Sequence, residues 1–298
     1  MDCHGLKPSQ WQHQKMDQSE KNIFNVLKQA TEFLTSHNIT EAQLDAEVLL
    51  CGVLKIKRSN LVTLRQETIS QEQNQQYQKF LNRRITGEPV DYILGNSEFM
   101  GLTFKVNQNV LIPRPETELI VEQANKLIKE NKFKQVLDLC TGSGAIAVSV
   151  AHYNDDVSVV ASDISQKALE IAKENAVTNN VSKKIEFMES NMFSNIINKK
   201  FDIIISNPPY VTKKEYEGLE RELFFEPKNA FLAGEDGLEF YKIIADNSAR
   251  YLNRKGVLLL ELNANISLQI ADLFSNFLFV KIIKDYSGLD RILVAQNG

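Results

Sequence analysis

The chain has 298 residues, 43% of them hydrophobic and 24% charged, so it holds enough apolar material for one large or two modest packed domains. A net charge of −4 argues against a protein built to coat nucleic acid. Three cysteines (Cys3, Cys51 and Cys140) lack metal-ligand spacing and cannot all pair, and no apolar run approaches the roughly 18 residues of a membrane span, which argues against a disulfide framework, a structural zinc and a membrane anchor.

Residues 1–20 are rich in Gln, carry acidic residues and no Arg, and contain no apolar signal core. They are expected to form a disordered lead-in rather than a secretory or mitochondrial leader, with Met16 as an alternative start, and the unpaired cysteines fit a reducing compartment, so a cytoplasmic location is expected. Residues 21–94 read as a helical domain. Ile23, Val26, Leu27, Ala30 and Leu34 mark one apolar face, and Leu44, Val48, Leu49 and Val53 mark a second. Tyr77, Phe80 and Leu81 face inward from a polar helix over residues 71–84. Over residues 1–108, Lys and Arg number 12 and Asp and Glu also 12, a balance better suited to a protein partner than to a phosphate backbone. The adjacent Arg83 and Arg84 read as a solvated helix end.

Residues 95–112 have strand composition and predict a β-hairpin linker, with strands Phe99–Val106 and Val110–Ile112 around a turn at Asn107–Asn109. Pro113 and Pro115 hold Arg114 extended before a helix over Leu119–Lys129, in whose first turn Glu116 and Glu118 favour the helix dipole. From residue 113 to 298 strands and helices alternate as in a doubly wound, Rossmann-like α/β sheet. The strand Gln135–Leu139 runs into Cys140-Thr141-Gly142-Ser143-Gly144 and then an apolar helix, the arrangement that lets a ligand approach backbone N–H groups. Gly142-x-Gly144-x-x-Ala147 also fits a dinucleotide fingerprint and is weak evidence alone. Asp138 discriminates: a carboxylate there would repel a pyrophosphate but can pair with the ammonium or sulfonium end of S-adenosyl-L-methionine. Asp163 ends the next strand, placed to accept ribose hydroxyls. Cys140 reads as a small residue that fits the turn rather than a reactive thiol.

A third strand, Ile185–Met188, ends near Asn191 and Met192, and a fourth, Phe201–Ser206, runs into Asn207-Pro208-Pro209-Tyr210. Two prolines forbid further ladder bonding, so the chain leaves the sheet at its carboxyl edge, where open α/β sheets bind ligands. Asn207 Oδ1 and the Pro208 carbonyl offer two acceptors for an NH2 group, and the Tyr210 ring can orient the planar group that carries it. An irregular stretch to Ala233, a helix over residues 237–252, a fifth strand over residues 256–261 and an antiparallel pair near residues 279–283 and 291–295 complete the pattern.

Taken together, Arg83-Arg84-x-x-Gly87-Glu88-Pro89, Tyr92-Ile93-Leu94-Gly95, Glu98-Phe99-x-Gly101-Leu102-x-Phe104, Ile112-Pro113-Arg114-Pro115-Glu116-Thr117-Glu118, the glycine turn, Asn207-Pro208-Pro209-Tyr210, Glu226-Pro227 and Asp236-Gly237-Leu238 resemble the release-factor glutamine N5-methyltransferases. The resemblance implies methyl transfer from S-adenosyl-L-methionine to the Gln of a Gly-Gly-Gln loop in peptide chain release factors, with S-adenosyl-L-homocysteine as product. It implies a cofactor set of Asp138, Cys140, Thr141, Gly142, Ser143, Gly144, Asp163, Asn191, Met192 and Asn207. Asn207, Pro208, Pro209 and Tyr210 would hold the substrate, with Asn207, Pro208 and Tyr210 catalytic and no metal. The helical domain would bind the release factor; neither a stable nucleic-acid nor a membrane partner is expected, and the enzyme is expected to be a monomer. The chain departs from the family at Asn191, usually Asp, and at Asn263, usually Gly. The alternatives are an N-methyltransferase acting on adenine or guanine, which the same loop would serve after base flipping, and a catalytically silent cofactor-binding module.

Overall fold

The computed structural model describes residues 22–298, so the tail expectation falls outside it. The chain divides into two compact units between Leu94 and Gly95. In the first, α1 (Ile23–Ser36), α2 (Ala42–Leu54), the single turn α3 (Asn60–Thr63), α4 (Gln71–Arg84) and α5 (Val90–Leu94) enclose a core around Leu34, Leu49, Leu50, Tyr77 and Leu81. Asn22 Oδ1 accepts from Asn25 N at 2.8 Å to start α1, while Ser70 and Gln73 cap each other at 3.2 and 2.7 Å to start α4.

The arginine pair corrects the expectation of a solvated helix end. Arg84 is buried, and its Nε donates to Asp45 Oδ2 of α2 at 2.6 Å. Arg83 clasps Glu88 at 2.8 and 2.6 Å and donates to the Tyr92 and Ile93 carbonyls at 3.2 Å each. The planar fork of each guanidinium binds side chain and backbone at once, which folds the turn at Glu88 back onto α4.

The second unit opens with a hairpin of β1 (Asn96–Phe99) and β2 (Leu102–Lys105). Its turn lies at Met100 and Gly101, which corrects the expected turn at Asn107–Asn109 and the expected strand at Val110–Ile112. Met100 and Gly101 both have positive φ, 52° and 69°, as a type I′ turn requires, and a Met in the first position concealed it. Helix α6 (Pro115–Asn131) starts four residues before the expected Leu119, because Pro115 fits the first helical position, where no N–H is needed. That early start turns Thr117 inward, where it is buried. Glu118 does more than answer the helix dipole: its Oε1 accepts from Met100 N at 2.6 Å and ties the hairpin to α6.

Then follow β3 (Gln135–Leu139), α7 (Ala145–Tyr153), β4 (Ser158–Asp163), α8 (Gln166–Thr178), β5 (Ile185–Glu189), β6 (Phe201–Ser206), α9 (Lys213–Glu217), α10 (Glu239–Tyr251), β7 (Leu252–Glu261), α11 (Ser267–Asp272), β8 (Phe279–Lys284) and β9 (Asp290–Gln296). The strands form one seven-stranded sheet in the order β5-β4-β3-β6-β7-β9-β8, parallel except for β9, which runs against both neighbours. Alternate residues feed two cores, as the pleat dictates. Val136, Val159, Ile203 and Leu259 pack with Ile120 of α6 and Val148 of α7. Leu137, Val160, Ile204 and Leu258 pack with Ile244 of α10 and Ile270 of α11. Winding proceeds outward from β3 through β4 to β5, then returns to β6 on the other side of β3. The crevice between the carboxyl ends of β3 and β6 is therefore the switch point, where such sheets bind ligands.

Candidate active site

A cavity of about 720 Å³ opens at that switch point, within the range of small-molecule sites. Of the residues picked from sequence, Cys140, Gly142, Asp163, Asn191, Met192, Asn207 and Pro209 line it. Asp138, Thr141, Ser143, Gly144, Pro208 and Tyr210 are not among its lining residues.

Asp138 is fully buried, and its Oδ2 accepts from Thr141 Oγ1 at 2.5 Å and from Ala147 N at 3.1 Å. The carboxylate thus caps the amino end of α7, whose own N-cap position, Gly144, has no side chain to do so. Burial pushes Asp138 up to about 7, against the two hydrogen bonds that favour its charge, and its Oδ1 is buried without a partner. Asp163 sits on the wall. Its Oδ2 accepts from Gly142 N and its Oδ1 from Ser165 N, both at 2.9 Å, so it shapes the glycine turn while keeping further lone pairs for a ligand. Burial raises its pKa too. Cys140 and Met192 both hold left-handed backbone, φ 64° and 49°, which is uncommon outside glycine and marks local strain on both sides of the wall. Burial raises the Cys140 thiol above its usual range, which disfavours the reactive thiolate.

Asn207 leaves β6 at the cavity edge. Its Nδ2 donates to Thr117 Oγ1 at 3.3 Å, and Thr117 Oγ1 donates to Glu261 Oε2 at 2.7 Å. Ser206 Oγ donates to the Leu139 carbonyl at 2.6 Å, locking the two strand ends that flank the switch point. The Tyr210 hydroxyl is pushed up to about 12, by burial first and then by the neighbouring Glu261 carboxylate, so it stays neutral. Gly237 explains the Asp236-Gly237-Leu238 motif: with φ 71°, a Cβ there would meet the Tyr210 carbonyl at 2.8 Å. Only glycine lets this segment close over the loop.

Sequence reasoning singled out Glu226 without giving it a role and passed over Lys228. Glu226 is buried, with Oε2 accepting from Ile112 N at 2.9 Å and Oε1 from Arg114 Nη2 at 2.6 Å. It joins two of the sequence motifs and pins the irregular stretch after Tyr210 against the segment that precedes α6. Lys228 also lines the cavity, with its ammonium 5.4 Å from the Tyr216 ring centroid. The departure at Asn263 is benign: its φ is −71°, which needs no glycine, and its Oδ1 accepts from Asn265 N at 3.1 Å. Among the described residues no His, Cys, Asp and Glu cluster could hold a metal.

The seven-stranded doubly wound sheet, with antiparallel β9 set between β7 and β8, a glycine turn after β3 and a cavity at the switch point, has the fold of the class I methyltransferases. The catalytic domain of hMettl16 in complex with a MAT2A 3'UTR hairpin shares this fold at a TM-score of 0.54 and 17% identity, over 76% of this chain and 82% of that one. Residues 25–95 match the PrmC N-terminal domain and residues 116–237 the methyltransferase small domain. The release factor glutamine methyltransferase of Fusobacterium nucleatum is 36% identical over 95% of this chain and 81% of its own length. That of Buchnera aphidicola is 40% identical over 93% and 99%. The chain belongs to the release factor glutamine methyltransferase family.

Proposed function

We propose that this chain transfers the methyl group of S-adenosyl-L-methionine to the side-chain amide nitrogen (N5) of the Gln in the Gly-Gly-Gln motif of peptide chain release factors, releasing S-adenosyl-L-homocysteine. One observation carries the reading: with Nδ2 committed to Thr117, Asn207 keeps Oδ1 as an acceptor on a residue that lines the switch-point cavity. An amide nitrogen is a poor nucleophile because its lone pair is delocalised into the carbonyl. Asn207 Oδ1 and the Pro208 carbonyl accept the two amide hydrogens and turn the lone pair toward the cofactor side of the cavity; as the N–CH3 bond forms and the S–CH3 bond breaks, one of these hydrogens leaves as a proton to solvent. Asp163, Asn191 and Met192 hold the cofactor, whose sulfonium supplies an already activated methyl group. Alignment is then the chain's main contribution, and alignment alone is worth up to roughly 7–11 kcal/mol in well-oriented systems.

The first unit would grip the folded release factor, so that a free Gln is a poor substrate. In this reading the enzyme works in the cytoplasm as a monomer, with neither a stable nucleic-acid nor a membrane partner. Its near-balanced amino-terminal charge supports a protein substrate over RNA or DNA. The test is methyl incorporation from labelled cofactor into purified release factor, a release factor with the motif Gln replaced, and RNA and DNA. Only the intact release factor is expected to be labelled, and labelling of nucleic acid instead would overturn the reading. Asn207→Ala is expected to abolish transfer while leaving cofactor affinity within about tenfold.

A further inference from the structure

We infer that Thr117 and Glu261 are positioning residues for methyl transfer: they fix the Asn207 amide so that its oxygen, not its nitrogen, meets the acceptor. The inference rests on the proposed reaction and concerns residues outside the Asn207–Tyr210 loop.

The two ends of an amide have nearly the same shape but opposite hydrogen-bonding character. Shape alone therefore does not decide which end of Asn207 faces the cavity; its neighbours must. Thr117 has one hydroxyl hydrogen, and it goes to Glu261 Oε2 at 2.7 Å. Thr117 Oγ1 is left to accept, and Asn207 Nδ2 fills that place at 3.3 Å. An ionised Glu261 can only accept, so polarity runs one way from the carboxylate through Thr117 to Asn207. A flipped Asn207 would aim N–H groups at the N–H groups of the substrate amide, donor against donor.

Both relay residues are buried, Thr117 at 5% and Glu261 at 2% exposure, so no solvent competes for these bonds. The Glu261 backbone is fixed as well: the Tyr241 hydroxyl of α10 donates to its carbonyl at 2.9 Å. The groups that face the carboxylate are Arg291 of β9 and Arg114, which favour its charge, Glu116 of α6, which opposes it, and the neutral Tyr210 and Tyr241. Burial outweighs them and lifts Glu261 to about 7. Protonated on Oε2, the oxygen that faces Thr117, Glu261 donates to Thr117 Oγ1, which frees the Thr117 hydrogen for Asn207 Oδ1 and reverses the chain. Amide orientation is thereby coupled to the charge of Glu261.

The experiment measures single-turnover methylation of purified release factor by the full chain between pH 5.5 and 8.5, with cofactor affinity measured by calorimetry alongside. The wild type is expected to gain rate with pH through about 7, where Glu261 ionises. Thr117→Val, which keeps the shape and removes the hydroxyl, is expected to slow transfer by about tenfold or more, while Thr117→Ser restores it to within about threefold. Cofactor affinity should stay within about threefold in both, because neither residue lines the cavity. Glu261→Gln is expected to remove the acid limb of the profile. Thr117→Val at the wild-type rate, or Glu261→Gln with its acid limb intact, would overturn the relay. If Thr117→Val does not fold, the Thr117→Ser rate and the Glu261→Gln profile decide. A wild type that binds cofactor yet labels no release factor would instead sink the proposed function. The relay is then judged on the Asn207 side-chain amide resonances, which should titrate near pH 7 in wild type and not in Glu261→Gln.

Discussion

At the scale of single residues, Asp163 has two tasks. Its carboxylate organises the Cys140–Gly144 turn through Gly142 N and presents charge to the cavity from the end of β4. Asp163→Ala is therefore expected to weaken cofactor binding by roughly 1.5–3 kcal/mol, the range for losing a hydrogen bond to a charged acceptor. Calorimetry showing unchanged affinity would remove Asp163 from the cofactor site. Glu261 makes a second prediction, about stability. Its folded pKa, about 7, exceeds its ordinary value of 4.5, so the native state binds the proton more tightly than the unfolded state does. Its contribution to stability is complete below the ordinary value, falls as pH rises, and is lost once pH passes about 7. Glu261→Gln removes the buried charge and is expected to stabilise the protein by roughly 2–3 kcal/mol at pH 8, with little gain at pH 4. Urea unfolding at the two pH values checks this, and an equal effect at both would refute the assignment of the shift to Glu261. Asn207 and Asp163 were legible in the sequence because each ends an apolar strand. Thr117 and Glu261 were not read as a pair, because 144 residues separate them and their meeting depends on β6 and β7 being neighbours beneath α6. One signal was available: Glu261 closes the buried run Val257–Leu260, where a carboxylate needs a partner.

At the scale of elements, alternation and glycine placement located the parallel strands, whose apolar runs leave little choice of period. Hydrogen-bonded staples were the illegible part. Arg83-Arg84 looks like a polar helix end because sequence periodicity says nothing about Asp45, 39 positions away. Likewise, the hairpin turn was misplaced because Asn107-Gln108-Asn109 has better turn composition than Met100-Gly101, and only strand pairing decides between them. The Arg84–Asp45 pair is buried on both sides, 6% and 10% exposed at the side chains. Removing one partner strands a charge in the core of the first unit, so Arg84→Ala is expected to destabilise that unit by about 3–5 kcal/mol. Hydrogen exchange should show the loss in α2 and α4, while β3 and β6 keep their protection. Uniform loss across both units would show that they unfold as one.

At the scale of the whole molecule, the division between Leu94 and Gly95 leaves one hydrophobic core in the first unit and two in the second, with no shared member. One is built from residues 23–93, the other two from residues 99–295. The glycine turn, Asp163, Asn207, Thr117 and Glu261 all belong to the second unit, and so does the hairpin. The second unit therefore carries every group invoked for cofactor binding and amide alignment. What it lacks is an assigned surface for a folded protein substrate. A narrow Gly-Gly-Gln loop makes few contacts of its own, so holding it in line with the methyl donor requires binding energy from elsewhere on the release factor. We propose that the first unit supplies it. A chain shortened to begin at Gly95 is expected to bind S-adenosyl-L-methionine with an affinity within about threefold of the full chain, which also shows that it has folded. It should methylate release factor at least about a hundredfold more slowly, because the acceptor amide is no longer delivered in register with Asn207. Full-rate methylation by a shortened chain with normal cofactor affinity would mean that residues 22–94 serve some purpose other than gripping the substrate.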